Sequence, residues 1–173
     1  MTIQEETLEL PSWDEITRRR GRNDLAWLFI DALDSGSLRD EDFCQALQDA
    51  WTGPDSPMSY AHPYLWELLF RNVGFLHEDK PGTYPLTGST ILYRGCTESR
   101  LYGMSWSERP EVALSFAESY RRQGLAAHVW AAEFKPERAL ARFTQSRPGE
   151  DEWGMEALDD EARAKAWIHT RLG

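Results

Sequence analysis

Long apolar runs, cysteines and positive charge are all scarce in this chain. No window reaches the roughly 18 apolar residues that a membrane-spanning helix needs, so no membrane partner is expected. Two cysteines, Cys44 and Cys96, cannot make a disulfide framework. Reduced thiols fit an intracellular, cytoplasmic protein. The opening residues Met1-Thr2-Ile3-Gln4-Glu5-Glu6 lack the basic and apolar regions of a signal peptide, which leads to the same expectation. Lys and Arg number 19 against 29 Asp and Glu, for a net charge of −10. Such a chain is poorly suited to non-specific binding of nucleic acid or anionic lipid, which depends on neutralising phosphates.

Several chemical motifs are missing as well. There is no phosphate-cradling Gly-x-x-x-x-Gly-Lys-Ser/Thr loop, no Gly-x-Gly-x-x-Gly and no His-Glu-x-x-His. Four scattered histidines and two distant cysteines give no zinc spacing, so no metal is expected. Gly103-Met104-Ser105-Trp106-Ser107 fails the Gly-x-Ser-x-Gly nucleophile elbow at its last position.

What is present is an ordinary globular composition with an unusual number of tryptophans. The chain has 173 residues, 41% hydrophobic and 28% charged, and eight tryptophans spread from Trp13 to Trp167. Disordered segments are poor in aromatics, so the whole chain, 1–173, is expected to fold as a single α+β domain. The charge is uneven. Residues 1–89 carry 7 Lys and Arg against 16 Asp and Glu, a net −9, while residues 90–173 carry 12 against 13, a net −1. The near-neutral second half is the better place for a pocket that takes a small phosphorylated ligand.

The halves also differ in pattern. Ser12-Trp13-Asp14-Glu15 fits a capping box opening a short helix, and Arg18-Arg19-Arg20-Gly21-Arg22 reads as its solvated end. Leu25, Leu28, Phe29, Ala32 and Leu33 make an amphipathic stripe after Asn23, closed by Gly36. A third helix starts near Asp40, with Phe43, Leu47 and Trp51 on one face, and a fourth spans about Pro63 to Asn72. Together they define a helical region over 12–75, followed by a loop over 77–90. Short β-type runs then appear at 90–94, 103–106, 128–134, 139–143 and 150–155. A helix follows Ser107, which is its expected N-cap, and a last helix runs from Asp159 or Asp160 to about Arg171.

Three features in the second half could carry chemistry. They are Tyr93-Arg94-Gly95 at the end of an apolar strand, Ser105-Trp106-Ser107 before a helix, and Glu150-Asp151-Glu152 after a Pro-Gly loop. Each alone has an ordinary structural reading as a strand end, a helix cap or an acidic turn. In this order they resemble the ADP-ribosyltransferase superfamily, in its Arg-Ser-Glu class of the Glu-x-Glu type. The resemblance covers residues 90–156. With Leu92, Gly103, Val112-Ala113 and Phe116-Ala117, the string is also similar to short phage and bacterial proteins of that type.

The resemblance implies a split core of two small antiparallel sheets packed face to face, with NAD as co-substrate in the cleft and the helical region packed alongside. It implies a mono-ADP-ribosyltransferase, which releases nicotinamide and moves ADP-ribose to a macromolecular acceptor. The acidic surface favours a protein acceptor over nucleic acid, and the resemblance implies a side chain such as arginine. Arg94 would contact a phosphate or ribose of NAD and brace the site. Gly95 would let the backbone approach the nicotinamide carboxamide. Ser105 would support the nicotinamide-ribose pocket and orient the glutamate. Ser107 would line the NAD site mainly as a structural cap. Glu152 would bond the ribose 2′-hydroxyl and stabilise the oxocarbenium-like transition state. Glu150, on the same strand face, would polarise the acceptor.

Alternatives stay open at several points. Tyr93 and Phe116 either stack on nicotinamide or adenine or pack in the core. Trp106 stands where relatives carry a small residue, and faces either the core or the pocket. A one-residue slip would make Asp151 the inward carboxylate in place of Glu152. Water as acceptor would make the protein an NAD glycohydrolase. A non-catalytic acidic binding or inhibitor protein on the same fold is the reading from a different class.

Overall fold

The computed structural model describes residues 9–83 and 87–169. It divides into two compact units, 1–60 and 61–173, and each is described by itself.

The first unit is helical. Helix α1 (Trp13–Thr17) opens on the expected capping box: the Ser12 side chain accepts from the Glu15 amide, and the Glu15 carboxylate accepts from the Ser12 amide. That exchange satisfies orphan amides at the helix start. Trp13 is buried, with its indole N–H donating to Asp49 at 2.8 Å and its ring edge-on to Phe29 at 6.3 Å. Helices α2 (Leu25–Asp34) and α3 (Phe43–Thr52) supply the rest of this core through Phe29, Ala32, Leu47 and Trp51.

The second unit holds α4 (Pro63–Val73) and a mixed eight-stranded sheet. The strands are β1 (Leu76–His77), β2 (Lys80–Pro81), β3 (Thr90–Thr97), β4 (Ser105–Ser107), β5 (Ala127–Phe134), β6 (Ala139–Phe143), β7 (Glu152–Met155) and β8 (Trp167–Ile168). Their order is β2-β1-β6-β7-β4-β3-β5-β8. Among the described residues, only β1 and β6 run parallel. The α+β class therefore holds. Two separate sheets were expected, but one ladder runs through all eight strands.

The ladder is narrow at its middle. β3 joins β5 through eight register pairs, but joins β4 through one, Tyr93↔Ser107. Two arms, β3-β5-β8 and β4-β7-β6-β1-β2, meet at that rung. Helix α5 (Pro110–Arg122) packs on β3 and β5 through Ala113 and Ala117. Trp106, Trp153, Leu92, Phe134 and Met155 belong to a single buried cluster. Trp106 thus faces the core, edge-on to Phe134 at 4.9 Å.

Several expected boundaries move. The fourth helix belongs with the sheet unit and not with α1–α3. The expected loop over 77–90 contains the β1–β2 hairpin, and its residues 84–86 lie outside the described residues. The last helix, α6 (Asp160–Lys165), is shorter than expected, because Trp167 and Ile168 pair with β5 as an edge strand. The expected end near Arg171 lies outside the described residues.

Candidate functional site

Arg94 sits on β3 and spends its guanidinium on backbone. Its Nη1 donates to the Ser105 carbonyl at 2.6 Å, and its Nε to the Arg100 carbonyl at 3.4 Å. Gly103 makes room for it: a Cβ there would lie 2.0 Å from Nη2. A planar fork with several donors suits this task as lysine would not. Arg94 therefore braces the 100–105 loop and the start of β4.

Gly95 does not open a path to a ligand. A Cβ on it would lie 1.8 Å from the Ala113 carbonyl and 2.6 Å from the Ala117 amide. The space beside Gly95 is filled by α5, so its missing side chain serves close helix-on-strand packing. This corrects the expected role at the carboxamide.

The three motifs meet in one cross-strand row. Tyr93 pairs with Ser107, Ser107 with Glu152, and Glu152 with Phe143. Register partners share a sheet face, so these side chains stand on the same side. Tyr93 packs against the α5 cluster, with its ring 4.9 Å from His169. Ser107 is buried; its hydroxyl donates to the Glu150 carbonyl at 2.7 Å and accepts from the Arg109 amide at 3.1 Å. It is not the helix cap that was expected, since Arg109 occupies the N-cap position. Glu152 is a carboxylate only 3% exposed. The Asp151 side chain beside it is 36% exposed.

Ser105 pairs with Gly154 two places along, and its carbonyl is the acceptor for Arg94. Phe116 lies on α5 and is 43% exposed, so it is not packed in the core as one reading held. Tyr102 is likewise exposed.

Glu150 does not lie on the β7 face. The strand begins at Glu152, and Asp151 before it has a φ of 47°, in the left-handed region. The chain turns sharply there, and Glu150 belongs to the turn. Arg147 restores the link between the two glutamates. Its Nη1 is 3.4 Å from a Glu150 oxygen and its Nε is 3.6 Å from a Glu152 oxygen. Asp151 points elsewhere, 3.8 Å from Arg142 and 3.9 Å from Arg109. Arg142 also lies over the Trp153 ring at 4.5 Å, and the Trp153 indole donates to Glu108 at 2.9 Å.

The segment that carries Arg147 is held from behind by Glu78, in the β1–β2 turn. Its carboxylate accepts from the Thr144, Gln145 and Ser146 amides at 2.5, 2.9 and 3.2 Å, and from the Thr144 and Ser146 hydroxyls. Burial pushes the Glu78 carboxyl up, but the hydrogen bonds from Gln145, Thr144 and Ser146 together outweigh it. The group is lowered to about 2. Cys96, by contrast, has its thiol pushed up by burial, against a weaker pull from Arg94. That suits a packed core thiol and not a nucleophile.

Sequence reasoning gave no role to Arg147, Gly103 or Glu78. Arg147 stands three and five residues before the two glutamates, a spacing that carried a usable signal. Glu78 carried none, because its partners lie 66 to 68 residues away. Among the described residues, no group of three or more His, Cys, Asp or Glu is placed to hold a metal. Comparison with protein-family models, curated proteins and solved structures finds no match.

Proposed function

We propose that this chain is an NAD-dependent mono-ADP-ribosyltransferase whose acceptor is a guanidinium-bearing protein side chain. The observation that carries the reading is Glu152, a carboxylate buried in the sheet row that also contains Tyr93 and Ser107. A buried carboxylate needs a cation beside it, and Arg147 supplies one at 3.6 Å. NAD would bring a second positive centre when bound: its ribose carbon gains positive charge as neutral nicotinamide leaves. A fixed carboxylate in a dry site stabilises such charge well.

The remaining residues fit the same reading. Ser107 ties the Glu150 carbonyl to β4 and so fixes the turn beside Glu152. Arg94 fixes the strand start that carries Ser105. Glu150, in contact with a guanidinium already, is suited to hold an acceptor arginine and take its proton. In this reading the two arms of the sheet are the split core of an ADP-ribosyltransferase-like fold.

The test is nicotinamide release from NAD by the purified chain beside Glu152→Gln, with labelled NAD and a protein extract present. The expected result is release that drops on the order of 10²- to 10³-fold in the variant, with label on protein. Equal release from both chains would remove Glu152 from the site. No release from either would end the enzyme reading.

A further inference from the structure

We propose that Arg147 is itself an acceptor, so that the chain modifies its own turn with ADP-ribose. This rests on the transferase reading above. The observation is the position of the Arg147 guanidinium, which contacts the Glu150 and Glu152 carboxylates together. Those are the two groups that reading assigns to the acceptor and to the ribosyl carbon. An acceptor guanidinium from another protein would have to enter the same place. The chain already supplies one, on a turn anchored by Glu78 and Ser107.

Other arginines nearby are directed elsewhere. Arg94 serves the Ser105 and Arg100 carbonyls. Arg109 serves Glu111 and the Gly149 carbonyl. Arg142 serves the Asp151 carbonyl and lies over Trp153. Arg147 is partly accessible, its side chain 21% exposed. A tethered acceptor needs no encounter in solution, which is worth a large share of the entropy of a bimolecular step.

The step balances. The bond between the ribose C1′ and the nicotinamide nitrogen breaks, and its electron pair stays on nicotinamide, which leaves neutral. A new bond forms between C1′ and Nη1 of Arg147. The Nη1 proton passes to the Glu150 carboxylate and from there to water. The Arg147 guanidinium that meets the two carboxylates is consumed in the step, so the reaction stops at one ADP-ribose per chain.

The wild-type chain is incubated with NAD alone, released nicotinamide is measured, and peptides are sequenced by mass spectrometry. The expected result is one ADP-ribose per chain, on Arg147, at a rate per molecule unchanged by dilution. In Arg147→Lys, label on this peptide falls to background. Nicotinamide release without label on Arg147 overturns the self-modification and leaves the transferase reading standing. Labelling of Arg147 whose rate falls with dilution overturns the tethered step. No nicotinamide release overturns both.

Discussion

Two arginines flank the candidate site, and they do opposite work. Arg94, which the sequence motif singles out, points its donors at main-chain carbonyls and is covered by Gly103. Arg147, which no motif marks, meets two carboxylates, one of them buried. The first makes hydrogen bonds that hold a strand in place. The second makes ion pairs in the place where cationic chemistry is proposed. An arginine within a motif can thus be structural, while the chemically exposed one lies in the adjoining turn.

Arg94→Ala tests this contrast most severely. It leaves the Ser105 and Arg100 carbonyls without their charged donor, and the expected loss is about 3 kcal/mol of unfolding free energy, read by urea denaturation. A variant with unchanged stability and lost NAD binding would reverse the contrast and put Arg94 on the ligand. Gly103→Ala probes the same brace from its other side. A Cβ 2.0 Å from the guanidinium forces it to move. The expected cost is about 2 kcal/mol, and an unaltered midpoint would show that Arg94 has room to spare.

Glu78→Gln gives the smallest effect and the sharpest signature. The folded pKa of Glu78 is depressed to about 2 from 4.5, so its contribution is present above 4.5 and is lost as pH falls through about 2. Allowing for partial exposure, that contribution is about 1–2 kcal/mol. The variant should be less stable than wild type at neutral pH, and the gap should close toward pH 2. A gap that does not change with pH would mean that the clamp acts by shape and not by charge.

Much of the fold was legible where the signal was local. The Ser12 capping box, the stripe of α2 and the bounds of β6 all follow from short-range spacing. The two-residue strands β1, β2 and β8 carry too little pattern to be seen, and they exist because neighbouring strands offer an edge. In the site, alternation left Glu152 or Asp151 inward and Trp106 on the core or the pocket, because a short strand does not fix its own register; the burial of Glu152 and Trp106 is seen only in the structure. Gly95 was misread because a glycine after an arginine has the same letter whether a ligand or a helix approaches it. Glu150 was misread because alternation applies only inside a strand, and the left-handed Asp151 delays the strand until Glu152.

The single rung between Tyr93 and Ser107 bears on the order in which the chain is put together. β3 and β5 form a broad antiparallel pair around α5, closed over a modest stretch of chain. The row through Ser107 needs β7, and the clamp on the turn spans 66 residues from Glu78 to Thr144. Contacts that close longer loops cost more entropy and form later. During synthesis, the carboxylate cluster waits until Met155 has left the ribosome, when most of the scaffold around it has been made. A chain cut short before β7 still contains both β3 and β5 but lacks Glu152, the residue on which the proposed chemistry depends.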